Sequence, residues 1–390
     1  MDLVILAGGK GKRIQHLNRD KPKPMVKIKD KVFLDLLINH YSKFNFEKIF
    51  ILVGYKSKII KEKFDGKFRN FVNIECIQEN TPLDTGGALS QIKNKIKKEF
   101  ILINGDTFFD INNIEKFKKL NSNSNVGCLS LIKTKKSQNI KFNNLILDKK
   151  GYVKKVEKSP YINAGVYYFR KEIFSFIKKK KISLENEVLP KLIKLRKIKG
   201  KYFNNFFLDI GTPENLKYAK KILPKKIEKP AIFFDRDGVI NHDKGYTYKF
   251  SKFKFRKNVI NALKYLIKKK IYIFLVTNQG GIAKNKFSME DFFKLHKKIK
   301  IKLLKKNIFI HDIEFCPHHP DGIIKKFKIN CKCRKPSNMM IKSIEERWFY
   351  KKKKSYFIGD KITDKIAAKK SNLKFQFVED DILKQIKKLF

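Results

Sequence analysis

Residues 231–241 read A-I-F-F-D-R-D-G-V-I-N, four apolar residues that lead directly into two aspartates one position apart. A short, wholly apolar run is typical of a strand that is buried on both faces of a parallel sheet. Asp235 and Asp237 would share one side of that strand if it stayed regular, but Gly238 indicates that it does not. Two carboxylates held this close raise the pKa of one of them unless a cation lies beside them. The stretch therefore predicts either a metal site or a carboxylate nucleophile with its acid.

Apolar runs typical of strands alternate with amphipathic stretches typical of helices along the whole chain, which favours parallel α/β sheets. The alternation is interrupted at 223–230, L-P-K-K-I-E-K-P, where two prolines bracket a charged segment. We predict a linker at 224–230 between a domain of residues 1–223 and a domain of residues 231–390, each long enough to bury its own core. Predicted strands cover 2–7, 48–53, 100–105, 231–235, 271–276, 355–359 and 373–378, and predicted helices lie near 32–44, 87–97, 258–270 and 288–306.

The 390-residue chain has an ordinary apolar content but a formal net charge of +54. Only nine of its 91 basic residues are Arg, and Lys is spread over both halves. Nucleic-acid binding would require clustered Arg interleaved with aromatic residues, so we interpret the excess Lys as solvated helix faces and expect no nucleic-acid partner. Lys cannot replace a planar guanidinium that binds phosphate in a bidentate manner. The position of the scarce Arg residues, among them Arg13, Arg236 and Arg334, is therefore informative.

The N-terminus, M-D-L-V-I-L-A-G-G, has no basic region and too short an apolar run for a signal peptide, and no stretch approaches a membrane span. We expect a cytoplasmic protein with no membrane partner. Of the five Cys residues, Cys76 and Cys128 lie in apolar, strand-like runs and are expected in the core. The other three lie close together in sequence, which in a reducing compartment indicates a metal site rather than disulfides.

The segments C-P-H-H (316–319) and C-K-C (331–333) contain the donors of a tetrahedral zinc site. The four expected ligands are Cys316, His318, Cys331 and Cys333. His319 is the alternative to His318. A closed shell of four protein ligands cannot activate water, so this zinc would be structural. We expect it to position Arg334 and Lys335, which follow the loop directly.

Three more polar fragments belong with the opening aspartates: T-N (277–278), R-K-P (334–336) and G-D-K-I-T-D (359–364). Ligands of open α/β sheets bind beyond the carboxyl ends of the strands, so we expect these side chains to meet at one edge. Carboxylates, a hydroxyl, an amide and a lysine around one point suit phosphoryl transfer, which needs a nucleophile, a hard cation, a second carboxyl group and cations for the phosphate.

In this order the fragments resemble the haloacid dehalogenase (HAD) superfamily of phosphatases. The resemblance implies that Asp235 is the nucleophile and forms an aspartyl phosphate, and that Asp237 is the general acid and base. It implies that Mg²⁺ is held by Asp235, by the backbone carbonyl of Asp237 and by Asp360. The expected phosphate and substrate contacts are Thr277, Lys335, Asn278, Arg334 and Lys361.

Within the superfamily, D-R-D-G-V-I-N, T-N-Q-G-G-I-A, C-P-H-H-P-D-G and C-K-C-R-K-P resemble the heptose 1,7-bisphosphate 7-phosphatases over about 231–375. Histidinol-phosphate phosphatases share the zinc loop, so they remain an alternative. Gly280 stands where Ser is expected, and Lys284-Asn285 stands where Arg-Gly is usual. These departures bear on substrate specificity and not on the mechanism.

The first domain begins with a predicted strand that ends in a glycine-rich loop, G-G-K-G-K-R (8–13), followed by P-K-P-M (22–25). Glycines after a strand let backbone N–H groups approach a polyphosphate, which Arg13 and Lys23 would neutralise. A tight turn without a ligand is the alternative. Asp106 and Asp209 follow two later strand-like runs, and two carboxylates on converging strands predict a Mg²⁺ site.

Together with T-G-G-A (85–88), V-E-K (156–158) and N-A-G-V-Y (163–167), these motifs resemble the sugar-1-phosphate nucleotidyltransferases over about 2–222. The resemblance implies that an oxygen of the sugar phosphate attacks the α-phosphorus of a nucleoside triphosphate and pyrophosphate leaves, with Mg²⁺ on Asp106 and Asp209. The implied triphosphate ligands are Gly8, Gly9, Gly11, Arg13 and Lys23. The implied base contacts are Gly86 and Gly87, and the implied sugar-phosphate ligands are Glu157, Lys158 and Asn163. Lys12 replaces a frequent Thr, and Asp84 a frequent Gly; this extra carboxylate either alters nucleobase preference or points outward.

The sequence thus predicts an α/β protein with two doubly wound domains: an N-terminal Rossmann-like nucleotidyltransferase and a C-terminal HAD-like phosphatase with a zinc loop. The two activities fit in series on a heptose phosphate, and the first domain is most similar to the heptose 1-phosphate guanylyltransferases, so GTP is the expected donor. Other sugar 1-phosphates with another phosphomonoester are one alternative. A basic protein that trims nucleic-acid ends is the other. The sequence does not indicate the oligomeric state.

Overall fold

The computed structural model describes residues 1–11, 13, 21–111, 113–118, 120, 124–134 and 144–390. Lys12, which the sequence analysis singled out, lies outside these residues. The chain divides into two compact units. The first comprises Met1–Leu37, Phe46–Phe68 and Val72–Leu223, and the second comprises Ile38–Asn45, Arg69–Phe71 and Pro224–Phe390. Within the described ranges, no helix combines the length and the apolar character that crossing a membrane requires.

The first unit is built on an eight-stranded sheet. Eight of the described strands before residue 230 form this sheet, and the others form two-stranded sheets. The strands are β1 (Asp2–Ala7), β2 (Lys27–Ile28), β3 (Lys31–Val32), β4 (Lys48–Val53), β5 (Phe68–Arg69), β6 (Val72–Gln78), β7 (Glu99–Asn104), β8 (Thr107–Phe109), β9 (Gly127–Lys133), β10 (Leu145–Leu147), β11 (Val153–Lys155), β12 (Tyr161–Arg170), β13 (Ile198–Phe203) and β14 (Phe207–Asp209). The order in the sheet is β13-β9-β12-β7-β1-β4-β6-β5. β7, β1, β4 and β6 are parallel, whereas β12 is antiparallel to β7 and β9. The sheet is therefore mixed, and the prediction of parallel sheets holds only for its central part.

The described helices before residue 230 are α1 (Phe33–Ser42), α2 (Ser57–Phe64), α3 (Asp84–Ser90), α4 (Glu115–Lys118), α5 (Leu189–Lys194) and α6 (Pro213–Ile227). α3 ends earlier than the predicted helix at 87–97, because hydrogen bonds between residues three apart replace the helical pattern beyond it. α6 runs into the predicted linker as far as Ile227. Pro224 cannot donate a helical hydrogen bond, but its carbonyl still accepts from the N–H of Glu228 at 2.9 Å. The helix therefore continues through the proline.

The second unit contains a five-stranded parallel sheet of order β17-β16-β15-β18-β19. Its strands are β15 (Ala231–Phe234), β16 (Tyr272–Asn278), β17 (Asp312–Cys316), β18 (Tyr356–Gly359) and β19 (Lys374–Phe377), and its helices are α7 (Val259–Lys268), α8 (Met289–Leu304), α9 (Met339–Arg347), α10 (Ile362–Lys370) and α11 (Ile382–Leu389). Alternate side chains of β15 point to opposite faces. Ile232 and Phe234 join a core with α7, α8 and α11, and Ala231 and Phe233 join one with α9 and α10. Helices cover both faces, which confirms the doubly wound prediction.

Two candidate active sites

The carboxyl ends of β15, β16 and β18 are neighbours in the sheet, so Asp235, Thr277 and Asp360 come to one edge. The Nζ atom of the buried Lys335 lies 3.0 Å from Oδ1 of Asp235 and 2.6 Å from Oδ1 of Asp364. Burial raises the pKa of Asp235 to about 6; Lys335 opposes this rise, and the charge of Asp364 adds to it. Lys335 is therefore a cation beside Asp235, but it does not cancel the effect of burial on the pKa of this carboxyl.

Asp237 occupies a different environment from Asp235. Burial works against its charge, but the Arg236 guanidinium, followed by Asn241 and Gln279, holds the pKa of Asp237 below its usual range. The Nη2 atom of Arg236 lies 2.7 Å from Oδ2 of Asp237, and the amides of Asn241 and Gln279 donate to its two oxygens at 2.9 and 3.0 Å. Two aspartates that look alike in the sequence therefore have pKa values shifted in opposite directions.

Three carboxylates at this edge are close enough to share a cation. Asp235, Asp360 and Asp364 each offer an oxygen within 4.8 Å of the others. Asp364 is already used by protein groups, because it accepts two backbone N–H groups and pairs with Lys335. In contrast, Oδ1 of Asp360 is buried without a hydrogen-bond partner among the described residues. Gly238 makes room for this carboxylate: its φ is +84°, and a Cβ there would lie 2.3 Å from Oδ2 of Asp360.

The three residues expected to touch substrate are placed differently from one another. The Asn278 side chain exchanges two hydrogen bonds of 3.0 Å with the backbone of Lys335, so it positions the lysine. Arg334 donates to the carbonyl of His318 at 3.2 Å. Lys361 is more than half exposed, with its Nζ 3.6 Å from Oδ2 of Asp243. Of these three residues, only Lys361 presents an exposed charge beside the carboxylates.

The cysteine-rich loop brings four donor atoms together within 4.8 Å of one another: those of Cys316, His318, Cys331 and Cys333. The three sulfur atoms are 3.1 to 3.4 Å apart, and Nδ1 of His318 lies 3.2 Å from Sγ of Cys333. Hydrogen bonding, above all with Cys316, lowers the pKa of Cys333 to about 5. His319 is outside the cluster, because its Nδ1 accepts the N–H of Asp321. Of the two histidines, only His318 belongs to this cluster. Cys76 and Cys128 are buried, as predicted.

In the first unit, a cleft of about 920 Å³ lies at the carboxyl ends of β1, β4, β6 and β7. The sequence-predicted residues in its lining are Gly8, Gly9, Gly11, Arg13, Lys23 and Asp106. The strand order β7-β1-β4-β6 explains this arrangement, because it sets the glycine loop after β1 beside the turn after β7 that contains Asp106. Gly8 allows a close approach, since a Cβ there would lie 2.1 Å from Oε1 of Glu79.

Of the two predicted metal ligands, Asp106 lines this cleft and Asp209 does not, and a small second sheet brings the two together. β14 pairs with β8 so that Asp209 lies opposite Thr107, next to Asp106. Lys23 Nζ lies 2.5 Å from Oδ2 of Asp106. Burial opposes the charge of Asp106, but Lys23 holds its pKa below the usual value. Burial, and next the charge of Asp106, raise the pKa of Asp209 to about 6. The pair is thus held close at an electrostatic cost that a divalent cation would remove.

Several predicted contacts are not in the lining of this cleft. Gly86 and Gly87 lie behind it, where their N–H groups donate to the carbonyl of Ile182 at 2.9 and 3.1 Å. Asp84 and Thr85 line it in their place. Asp84 is exposed, so the extra carboxylate faces the cleft rather than the core. The start of α3, and not the glycine pair, therefore lines the cleft.

The predicted sugar-phosphate residues are also outside the lining. Glu157 and Lys158 are exposed. The amide of the buried Asn163 donates to the Tyr167 hydroxyl at 2.7 Å and accepts the N–H of Gly165 at 3.0 Å. The structure gathers the predicted triphosphate residues and Asp106 in the lining of one cleft and leaves these three outside it.

Sequence reasoning missed Glu185 and Glu79, which line the same cleft. Glu185 accepts from the Thr85 hydroxyl at 2.6 Å, and burial raises its pKa. Glu79 accepts the N–H of Leu83 at 3.0 Å, and burial raises its pKa as well. Neither belongs to a motif with a known spacing, so the only available signal was an acidic residue beside an apolar run.

Comparison with known proteins now identifies both parts of the chain. Residues 3–226 match the family model described as nucleotidyl transferase, and residues 230–389 match the model described as polynucleotide kinase 3 phosphatase. The D-glycero-alpha-D-manno-heptose 1-phosphate guanylyltransferase of Campylobacter jejuni is 34% identical over 221 residues, which are 55% of this chain and 96% of that protein. The D-glycero-beta-D-manno-heptose-1,7-bisphosphate 7-phosphatase of Yersinia pestis is 40% identical over 144 residues, which are 37% of this chain and 77% of that protein.

Among solved structures, HddC from Yersinia pseudotuberculosis complexed with GMP-PN is 31% identical, with a TM-score of 0.49, and the match covers 57% of this chain and 99% of that one. The chain belongs to the nucleotidyl transferase family in its first part and to the HAD-like phosphatases similar to the heptose-bisphosphate enzyme in its second. It is therefore an enzyme with two activities, and both resemblances inferred from the motifs are confirmed.

Proposed function

We propose that this protein catalyses two consecutive steps in the synthesis of an activated heptose in the cytoplasm. The phosphatase domain, 231–390, removes the 7-phosphate of D-glycero-D-manno-heptose 1,7-bisphosphate. The nucleotidyltransferase domain, 1–223, then transfers GMP from GTP to the resulting heptose 1-phosphate and releases pyrophosphate. One observation supports this most directly: a single chain is similar to two relatives whose names describe successive reactions.

In the phosphatase site, Asp235 is proposed to attack the phosphorus atom while the bond to the sugar oxygen breaks. The substrate-free site holds Asp237 ionised, so the bound phosphate monoester monoanion supplies the proton that Asp237 passes to the sugar oxygen. In the second half, Asp237 takes a proton from water as the water oxygen attacks phosphorus and the bond to Asp235 breaks. Thr277 and Lys335 hold the phosphoryl oxygens. Inorganic phosphate and the dephosphorylated sugar leave.

The residues at this edge fit Mg²⁺. The buried, unpartnered Oδ1 of Asp360 and the adjacent carboxylate of Asp235 are hard oxygen donors, which suit this ion. The backbone carbonyl of Asp237 is the third proposed ligand. When bound, Mg²⁺ neutralises charge on the transferring phosphoryl group. Asp364 does not join this set, because its oxygens hold Lys335 and two backbone N–H groups.

In the nucleotidyltransferase cleft, the glycine loop, Arg13 and Lys23 are proposed to bind the triphosphate. An oxygen of the sugar phosphate attacks the α-phosphorus, and the bond to the pyrophosphate breaks. This reaction needs no protein nucleophile, so the protein contributes positioning and charge neutralisation. Asp106 and Asp209 fit a divalent cation because they are two crowded carboxylates, and Mg²⁺ there would neutralise charge on the phosphates.

The sugar-phosphate ligands Glu157, Lys158 and Asn163 stay part of the proposal on the strength of the V-E-K and N-A-G-V-Y motifs. Gly86 and Gly87 are proposed to set the start of α3, so that Asp84 and Thr85 face the base. GTP is the proposed donor. A carboxylate in this position favours a base that carries two adjacent N–H donors, which guanine does.

The four clustered Cys and His side chains are proposed to bind Zn²⁺, whose thiolate and imidazole ligands they supply. Four protein ligands leave no position for water, so the ion would stabilise the loop and not take part in hydrolysis. Arg334 is tied to this loop through the carbonyl of His318. The zinc is therefore proposed to position the segment that delivers Lys335.

Replacing Cys331 with serine should lower the zinc content, measured by mass spectrometry of the purified protein, from one ion per chain to a small fraction. Phosphate release should fall by about 10-fold or more, because a 1 Å misplacement of a catalytic group costs up to two orders of magnitude. Pyrophosphate release should be unchanged. Cys76→Ser, the same change outside the cluster, is the matched control. Full zinc content in the first variant, or equal loss in both, would contradict the proposed zinc site.

The whole proposal is tested by giving the purified protein heptose 1,7-bisphosphate, Mg²⁺ and each nucleoside triphosphate in turn. We expect a GDP-heptose, identified by mass, with one phosphate and one pyrophosphate released per product. Mannose 1-phosphate, glucose 1-phosphate and histidinol phosphate form the comparison panel. Faster turnover of any of these would shift the assignment to that substrate. Preferred hydrolysis of a 3′-phosphorylated oligonucleotide, with steeply salt-dependent binding, would favour the nucleic-acid alternative that the net charge of +54 raises.

A further inference from the structure

Gln279 has no assigned role, yet it bridges two groups of the phosphatase site. It follows β16 directly and is buried. Its Nε2 atom lies 3.0 Å from Oδ2 of Asp237 and 2.9 Å from Oγ1 of Thr277. Its own backbone is fixed, because its N–H donates to the carbonyl of Cys316 at 2.7 Å. One amide group therefore contacts both the proton-transferring carboxylate and the phosphate-binding hydroxyl.

The chemistry of the partners determines how this amide is oriented. Asp237 is paired with Arg236 and, as a carboxylate, only accepts hydrogen bonds. The amide nitrogen, and not the oxygen, must therefore face it. An amide nitrogen carries two hydrogens, and the second one is donated to Oγ1 of Thr277. Because that oxygen accepts from Gln279, the hydroxyl hydrogen of Thr277 is directed elsewhere and is available to a phosphoryl oxygen.

The other side of Asp237 is held by Arg236, which is itself immobilised. Arg236 is 1% exposed, and its guanidinium also donates to the carbonyl of Thr247 at 3.0 Å. Its Nη1 lies 3.0 Å from Nε2 of His296. A guanidinium has no acceptor, so the neutral His296 ring must accept this bond. The guanidinium cannot turn away, and the amides of Asn241 at Oδ1 and Gln279 at Oδ2 then fix the remaining freedom of the carboxylate.

We propose that Gln279 is a positioning residue of the phosphatase, which aligns Asp237 for proton transfer and Thr277 for phosphate binding through a single amide. This inference rests on the proposed phosphatase activity. It predicts an effect that depends on the leaving group. In the first step the Asp235 oxygen bonds to phosphorus, the ester bond breaks, and the proton of Asp237 goes to the leaving oxygen. A sugar alkoxide needs that proton, whereas 4-nitrophenolate leaves without it.

The test is Gln279→Met, which keeps the length of the side chain and removes both donors. Heptose 1,7-bisphosphate and 4-nitrophenyl phosphate are compared on the same enzyme sample, so that any unfolded fraction cancels in the ratio. In the variant, kcat/KM for heptose 1,7-bisphosphate and the burst rate of 4-nitrophenolate release are each divided by the value for the unmodified protein. We expect the first ratio to be about 10²-fold smaller than the second, because general-acid catalysis usually contributes a factor of this size. Gln376→Met, the same change on the edge strand β19, should leave the ratio unchanged.

A double variant separates positioning from a general loss of structure. In the Asp237→Asn background, Gln279→Met should no longer discriminate between the two esters, because its selective effect acts through Asp237. Equal losses on both esters in the single variant, or a selective loss that persists without Asp237, would overturn the inference. If the unmodified protein hydrolyses neither ester, the proposed function fails instead. Gln279→Leu is the second variant, and it should show the same selectivity.

Discussion

Replacing Asp235 with asparagine is expected to lower phosphate release by about 10⁴-fold or more, the scale seen when a catalytic nucleophile is removed. Pyrophosphate release from a nucleoside triphosphate and a sugar 1-phosphate should continue at the unmodified rate. The amide keeps the shape of the carboxylate but is a far weaker nucleophile. Phosphate and pyrophosphate are measured separately on the same preparation, and the aspartyl phosphate should be absent after acid quenching.

The variant should remain folded, which makes the result interpretable. Burial raises the pKa of Asp235 to about 6, so the ionised carboxylate is unfavourable at this position. Replacing it with a neutral amide removes this unfavourable contribution to the folded state. Lys335 keeps a partner, since Asp364 lies 2.6 Å from its Nζ atom. We expect a melting temperature equal to or above that of the unmodified protein. Loss of both activities together would show that the two sites are not independent.

Asp106→Asn is the second large prediction, and it should have the opposite pattern. Pyrophosphate release should fall about 10³-fold, because metal-assisted charge stabilisation is worth several kcal/mol, while phosphate release continues. In the unmodified cleft Lys23 and Asp106 form an ion pair of 2.5 Å. The asparagine amide is neutral, so it lacks the negative charge with which the carboxylate would bind the metal ion. Binding of Mn²⁺, followed by electron paramagnetic resonance, should weaken in step with activity.

Asp110→Asn is a suitable control for this change, because Asp110 lies near the same strands but is not in the lining of the cleft. It should leave Mn²⁺ binding and both activities unchanged. Asp209→Asn should weaken Mn²⁺ binding as Asp106→Asn does. Unchanged Mn²⁺ affinity in both Asp106→Asn and Asp209→Asn would remove the two aspartates from the proposed metal site.

Residues at the ends of strands were the most predictable part of both sites. Asp235, Asp360 and Asp106 follow apolar runs, and parallel strands that lie side by side end at one edge, so their meeting follows from the order of elements. The cysteine cluster was equally readable from spacing. His318 was the expected fourth member and His319 the alternative; the structure places His318 in the cluster, while the N–H of Asp321 donates to His319.

Predictions were weakest for polar groups that can form hydrogen bonds either with a ligand or with another part of the protein. Asn278 was expected to touch substrate, and its amide exchanges two hydrogen bonds with the backbone of Lys335, 57 residues away. Gly86 and Gly87 are closed off by Ile182 in the same way. Such pairings join positions far apart in the chain, so no local pattern encodes them.

The sequence by itself determined the classes of reaction, the division into two α/β parts and the set of carboxylates, cations and thiols available, because apolar periodicity and the residues at strand ends are local properties. The tertiary structure alone decided which of those polar groups are free for ligands and which are held by the protein. It also introduced the unpredicted Glu185 and the Gln279 bridge. The physical reason is that a hydrogen bond depends on atoms within about 3 Å, and only packing brings distant segments that close.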